Sequence, residues 1–159
     1  MSTAIQFRGK PKAASWASAA IIVAAILLGV AHLWSSPSSP IAIFPVDGDT
    51  VRHQGQIYRL VGFDTPERGN KARCEDERRR AEAATDRLRQ LIAGGDTRLQ
   101  RVACACRPGE EGTNRCNYGR LCGALTIGGR DVGEILIGEG LAHRYVCSGT
   151  RCPPRQRWC

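Results

Sequence analysis

Residues 16–34 run for 19 positions, from Trp16 to Trp34, without a formal charge. A helix rising ~1.5 Å per residue over that length just spans a ~30 Å hydrocarbon core. The two tryptophans suit the headgroup interfaces, and Arg8, Lys10 and Lys12 are expected to stay on the cytoplasmic side. Two readings remain open: an uncleaved anchor, or a secretory signal cut after the small residues around Gly29 and Ala31. Both send the rest of the chain out of the cytoplasm. The organisation expected is a basic cytoplasmic N-terminus at 1–12, a transmembrane anchor or signal at 13–34, a Ser/Pro linker at 35–40 and a folded domain at 41–159. The protein would then lie in the cell membrane, single-pass, with its C-terminal domain extracytoplasmic, or be secreted if the segment is removed.

The domain's 119 residues suffice for a small core, but one that benefits from covalent staples. All eight cysteines (74, 104, 106, 116, 122, 147, 152 and 159) lie in it, an even count that favours disulfides in an oxidising compartment. Eight thiols allow about a hundred pairings, so the connectivity is not readable. The rival is a zinc knuckle from Cys104, Cys106, Cys116 and Cys122, which lacks the usual Cys-x-x-Cys spacing. Size excludes a two-domain dinucleotide enzyme, and neither Gly-x-Gly-x-x-Gly nor a Walker lysine loop occurs. Of the 23 basic side chains, three precede the apolar run, leaving 20 against 15 acidic ones, or +5, on the domain. That field attracts polyanions, and the bias of 20 Arg to 3 Lys suits bidentate contact with phosphate.

The apolar run at 41–46 contains Pro45, the mark of an edge strand or a strand end. Asp47-Gly48-Asp49 signals a turn into a strand at 50–53, and Gln54-Gly55 a tight hairpin before a strand at 56–63. In the latter, Ile57, Arg59, Val61 and Phe63 should point one way, Tyr58 and Leu60 the other. Arg59 thus shares a face with apolar neighbours, which is unfavourable unless an anion or carboxylate meets it. A helix is expected over 71–93, with Cys74, Glu77, Ala81, Ala84, Leu88, Leu91 and Ile92 on one stripe, Arg78, Arg79 and Arg80 facing solvent, and Gly94-Gly95 as its stop. Strands at 97–105 and 121–127 flank a polar loop at 107–115. Gly128-Gly129 leads to a short helix at 132–139, and the tail at 147–159 is irregular and held by disulfides. This order fits a small mixed barrel better than a parallel sheet.

Carboxylates cluster at two turns: Asp47 and Asp49, then Asp64 and Glu67. If the hairpin pairs as drawn, both turns lie at its open end, where their oxygens suit a hard divalent cation. Arg59 leads into the second turn and Arg120 arrives from elsewhere. Two arginines opposite a carboxylate-bound cation make a clamp for a phosphoryl group. A solvated Asp-Gly-Asp turn is the plainer alternative. His53 and His143 stand alone, as surface or satisfied core residues, and Cys74-x-x-Glu77 reads as a disulfide and a helix N-terminal charge.

The succession Val-Asp-Gly-Asp-Thr at 46–50, Arg59-Leu-Val-Gly-Phe-Asp-Thr-Pro-Glu67, Tyr118-Gly-Arg120 and Gly140-Leu-Ala142 resembles the staphylococcal nuclease (thermonuclease) family. The resemblance runs from about residue 41 to 145. It implies a mixed α+β fold with an OB-type five-stranded β-barrel and flanking helices. It further implies that Asp49, Asp64 and the carbonyl of Thr65 hold Ca2+, that Glu67 positions or deprotonates water, and that Arg59 and Arg120 bind the scissile phosphate. Tyr118 and Tyr145 resemble the family's nucleotide-contacting tyrosines. The implied reaction is in-line hydrolysis of DNA or RNA, leaving a 3′-phosphate, with nucleic acid and the membrane as partners and no protein partner inferred. The chain departs from the pattern in its short loop at 68–73, in a Cys-rich tail where a third helix is expected, and in its cysteines and apolar segment. The alternative from another class is a non-catalytic OB-type nucleic-acid-binding or envelope interaction module.

Overall fold

Turn chemistry sets the first strands. The computed structural model describes residues 42–159, so the expected membrane segment at 13–34 and the linker at 35–40 lie outside the described residues. Strand β1 (Phe44–Asp47) pairs antiparallel with β2 (Thr50–His53), with a register shift between Pro45 and Asp47. Gln54 and Gly55 both take positive φ, 50° and 75°, the conformation a two-residue hairpin needs, and return the chain as β3 (Gln56–Leu60). β3 then pairs in parallel with β6 (Leu121–Ile127), placing Arg59 opposite Cys122. β6 in turn pairs antiparallel with β5 (Thr97–Val102) and β7 (Arg130–Asp131). The strand order is β1-β2-β3-β6-β5, while β4 (Gly62–Asp64) and β8 (His143–Tyr145) form a separate antiparallel pair. Five ordered strands with a single parallel junction and two helices make an OB-like mixed α+β fold. Among the described residues no hydrogen-bonded pair joins β1 to β5, so ring closure of the expected barrel is not made by strand pairing.

The helices are α1 (Glu75–Gly94) and α2 (Val132–Gly138). Ala81, Ala84 and Leu88 of α1 are buried, as the stripe predicts, with Thr85 beside them donating to the Ala81 carbonyl at 2.7 Å. The core joins Leu88 to Val51, Leu60, Phe63, Leu125, Val132, Leu136 and Ala142. Arg78, Arg79 and Arg80 pair with Glu75 and Asp76 on the solvent side. Among the described residues no helix is long and apolar enough to cross a membrane.

Three expectations are corrected. The strand at 56–63 is broken: Gly62 adopts φ +94°, so the alternation slips, Val61 is exposed, and Leu60 and Phe63 are both buried. The helix begins at Glu75 rather than at 71, because Gly69–Lys71 forms a 3-10 turn and Cys74, in extended backbone, is the N-cap. β5 stops at Val102, before 105. The cysteines form four disulfides, Cys74–Cys159, Cys104–Cys122, Cys106–Cys116 and Cys147–Cys152, and none is free. All four sulfurs of the rival zinc knuckle are therefore covalently used.

Candidate active site

The site begins at a glycine. A Cβ on Gly48 would lie 2.8 Å from Thr65 Oγ1 and 2.9 Å from Ala84 Cβ, so only glycine lets the Asp-Gly-Asp turn rest against Thr65 and α1. That approach carries Asp49 inward, where it is buried. Its Oδ2 accepts from the Thr65 amide at 3.1 Å and meets Arg59 Nη1 at 2.9 Å, while Oδ1 accepts from the Thr50 hydroxyl at 3.2 Å. Burial foremost, aided by Asp47 and Asp64 against the opposing pull of Arg59 and the Thr65 amide, pushes the Asp49 carboxyl up to about 6.

Arg59 meets the carboxylates that its place on an apolar strand face demanded. Its Nη2 donates to Asp64 Oδ1 and to the Phe63 carbonyl, each at 3.0 Å, and Nη1 donates to the Leu60 carbonyl at 2.8 Å. The kink at Gly62 turns Asp64 toward it, and β8 holds that turn by pairing His143 with Asp64. Glu67 follows on the same loop, half-buried, its amide donating to the buried Glu77 carboxylate at 3.3 Å; the Arg73 amide donates to the other Glu77 oxygen at 2.7 Å. Glu77 at the start of α1 thus fixes both ends of the loop after Pro66, a positioning role that its place in the stripe did not reveal.

Arg120 reaches the same place from the turn that precedes β6. It sits just ahead of β6, held by Asn117 at 2.9 and 3.1 Å, and its Nη1 donates to Thr50 Oγ1 at 3.2 Å, whose hydroxyl in turn donates to Asp49. Tyr118 takes a left-handed φ of 57°, stands 84% exposed and lies with its ring centroid 5.9 Å from the Arg120 guanidinium carbon. Tyr145 is half-buried in β8, opposite Gly62 and not bonded to the carboxylates. The structure therefore brings Asp49, Arg59, Asp64, Thr65, Glu67 and Arg120 together, with the two tyrosines at the margin.

The residue that sequence reasoning missed is Arg155 in the tail. Its Nε donates to Asp64 Oδ2 at 2.9 Å, Nη2 lies 2.8 Å from Asp64 Oδ1 and 3.3 Å from the Thr65 carbonyl, and Nη1 bonds Glu67. Partial burial opposes its charge, but the hydrogen bonds it donates to Asp64 and Glu67 outweigh this and raise its pKa above the ordinary arginine value. These oxygens converge on a single cationic group, and the donor set, two carboxylates and a carbonyl with Asp49 beside them, is of the kind a hard divalent cation takes. The residues fit such an ion.

Fold and site together define an OB-like domain that gathers carboxylates and arginines at the open end of a hairpin. The chain belongs to the family of staphylococcal nuclease homologues, whose model matches residues 57–157. The match begins after Asp49, whose membership of the site rests on its contacts with Arg59 and Thr65. The SPbeta prophage-derived endonuclease YokF of Bacillus subtilis (strain 168) is 32% identical over 101 residues, 61% of this chain and 31% of that protein. The match thus spans about a third of that relative's length.

Proposed function

We propose that this chain is a calcium-dependent nuclease that hydrolyses phosphodiester bonds of DNA or RNA by in-line attack of water. The observation that carries the reading is the meeting of Arg59 and Arg120, through Thr50, on the Asp49–Asp64 carboxylate pair. Asp49, Asp64 and the Thr65 carbonyl would hold calcium, whose charge offsets that of the phosphodiester and raises the acidity of water. Glu67 orients the attacking water and takes its proton, a contribution of ~10²–10⁴-fold for a well-placed base. Arg59 and Arg120 donate to the phosphate oxygens as charge builds on them. Tyr118, exposed beside Arg120, offers a ring on which a base can stack. We further propose that residues 13–34 anchor the chain in the cell membrane, or are cut to secrete it, with the domain outside the cytoplasm. The uncharged run at 16–34 and the four disulfides support this placement.

The test is digestion of single-stranded DNA and of RNA by the oxidised full chain, with calcium or a chelator, beside Glu67→Gln and Arg120→Ala. The expected result is cleavage that needs calcium and falls by ~10²-fold or more in each variant. Salt-sensitive binding without any product would instead make the domain a nucleic-acid-binding module.

A further inference from the structure

The tail that carries Arg155 is fastened on both sides of it. Upstream, the Cys147–Cys152 disulfide closes a small loop in which Ser148 and Arg151 exchange backbone hydrogen bonds at 2.8 and 3.0 Å. Pro153 and Pro154 follow, each with a fixed φ and no amide hydrogen, so the approach to Arg155 is stiff. Downstream, the Trp158 ring stacks on His143 of β8 with centroids 3.9 Å apart, and Cys159 is bonded to Cys74 at the N-cap of α1. His143 is the strand partner of Asp64, and α1 is the element whose Glu77 holds Glu67. The tail is therefore pinned to the same elements that position the carboxylates.

Arg155 spends Nε and Nη2 on oxygens assigned above to the cation site, both oxygens of Asp64 and the Thr65 carbonyl, and Nη1 on Glu67, the residue assigned to the attacking water. The lone pairs that would face a divalent ion are those the guanidinium occupies, so the two cations exclude each other. The cavity left between the tail and Asp64, Glu67 and Glu77 is about 160 Å³. That is smaller than the roughly 300 Å³ at the lower end of ligand pockets, so a nucleotide does not enter beneath the docked tail. Arg59, by contrast, lies deeper, with 14% of its side chain exposed against 41% for Arg155, and is tied to three backbone carbonyls besides its carboxylates. Of the two arginines on Asp64, the shallow one on the tail is the one able to leave.

We propose that Arg155 is a tethered internal competitor for the metal ion, and that the disulfide-fastened tail is a latch that must lift before the site can be loaded. This rests on the reading of Asp49, Asp64 and Thr65 as the cation site. A group held on a short tether faces its site at a millimolar or higher effective concentration. The apparent dissociation constant for the ion is the intrinsic one divided by the fraction of molecules with the latch open. The latch therefore sets the concentration of free ion at which the site fills.

The experiment is calorimetric titration of calcium into the chelator-stripped, oxidised full chain, comparing wild type, Arg155→Ala, a Cys74→Ser/Cys159→Ser pair and Asp64→Asn. Arg155→Ala is expected to bind about tenfold more tightly or better, and the cysteine pair, which keeps Arg155 but loosens its tether, to gain by a smaller factor. Asp64→Asn is expected to lose binding. An arginine-specific protease supplies a second readout: calcium should speed cleavage after Arg155 in wild type. Equal or weaker binding by Arg155→Ala than by wild type overturns the latch while leaving the cation site standing. Absence of binding in every variant, Arg155→Ala included, overturns the cation site and the latch with it.

Discussion

Asp49 shows how a single buried charge links the site to the stability of the whole chain. Its carboxyl is pushed up to about 6 in the fold from the ordinary value of 3.8, chiefly because burial disfavours the anion. The folded state therefore holds the proton more tightly than the unfolded state. The stabilisation is full below about pH 3.8 and is lost as pH rises through about 6. The ionised, cation-free site therefore carries a stability cost at neutral pH. Asp49→Asn should remove that cost. In chelator, denaturation across pH 3–7.5 should show the variant gaining on wild type between about pH 4 and 6 and levelling off above that, and a pH-independent difference would refute the assignment. At this scale much was legible in the sequence. An arginine on an apolar strand face requires a nearby anion, and the five-residue step from Arg59 to Asp64 is part of the resemblance to the staphylococcal nuclease pattern. Arg155 was not legible, because it lies in a segment without periodicity whose course depends on a disulfide pairing that spacing does not encode.

Elements position these residues, and their ends matter more than their middles. Glu77 lies on the buried stripe of α1, yet its carboxylate spends both oxygens on the amides of Glu67 and Arg73. Glu77→Ala would leave two amides without their partner, at about 1–3 kcal/mol each where buried, and should lower chemical-denaturation stability and cleavage together. Glu77→Gln, which keeps one acceptor, should recover part of both. At the preceding turn, Gly48→Ala pushes a methyl into Thr65 and Ala84, each under 3.0 Å away. The expected loss is about 1–3 kcal/mol, with weaker calcium binding as the turn shifts, measured by thermal melting with and without the ion. The turns and the apolar periods placed most elements to within a few residues. The break at Val61-Gly62 escaped because an alternating pattern carries no sign of a glycine at φ +94°, and because the partner that captures Asp64, β8, is remote in sequence.

Across the whole molecule, the disulfides differ in how much of the unfolded chain they restrain. Cys74–Cys159 spans 85 positions and Cys147–Cys152 only 5. Chain entropy assigns these bonds about 4–5 and about 2 kcal/mol respectively, so replacing the first pair by serine should lower the urea midpoint about twice as far as replacing the second. A molecule lacking the long link would thus be less stable without calcium, yet gain more from adding it. The parallel joint between β3 and β6 has a consequence in time. Arg59 and Arg120 stand 61 residues apart, and nothing brings them together until Leu121 and Cys122 have docked beside Tyr58 and Arg59. Parallel pairings of such separation form late, because a long loop must close before any contact repays it. A nascent or half-folded chain therefore has both arginines but no clamp, and stays chemically silent toward whatever nucleic acid it passes during its own synthesis.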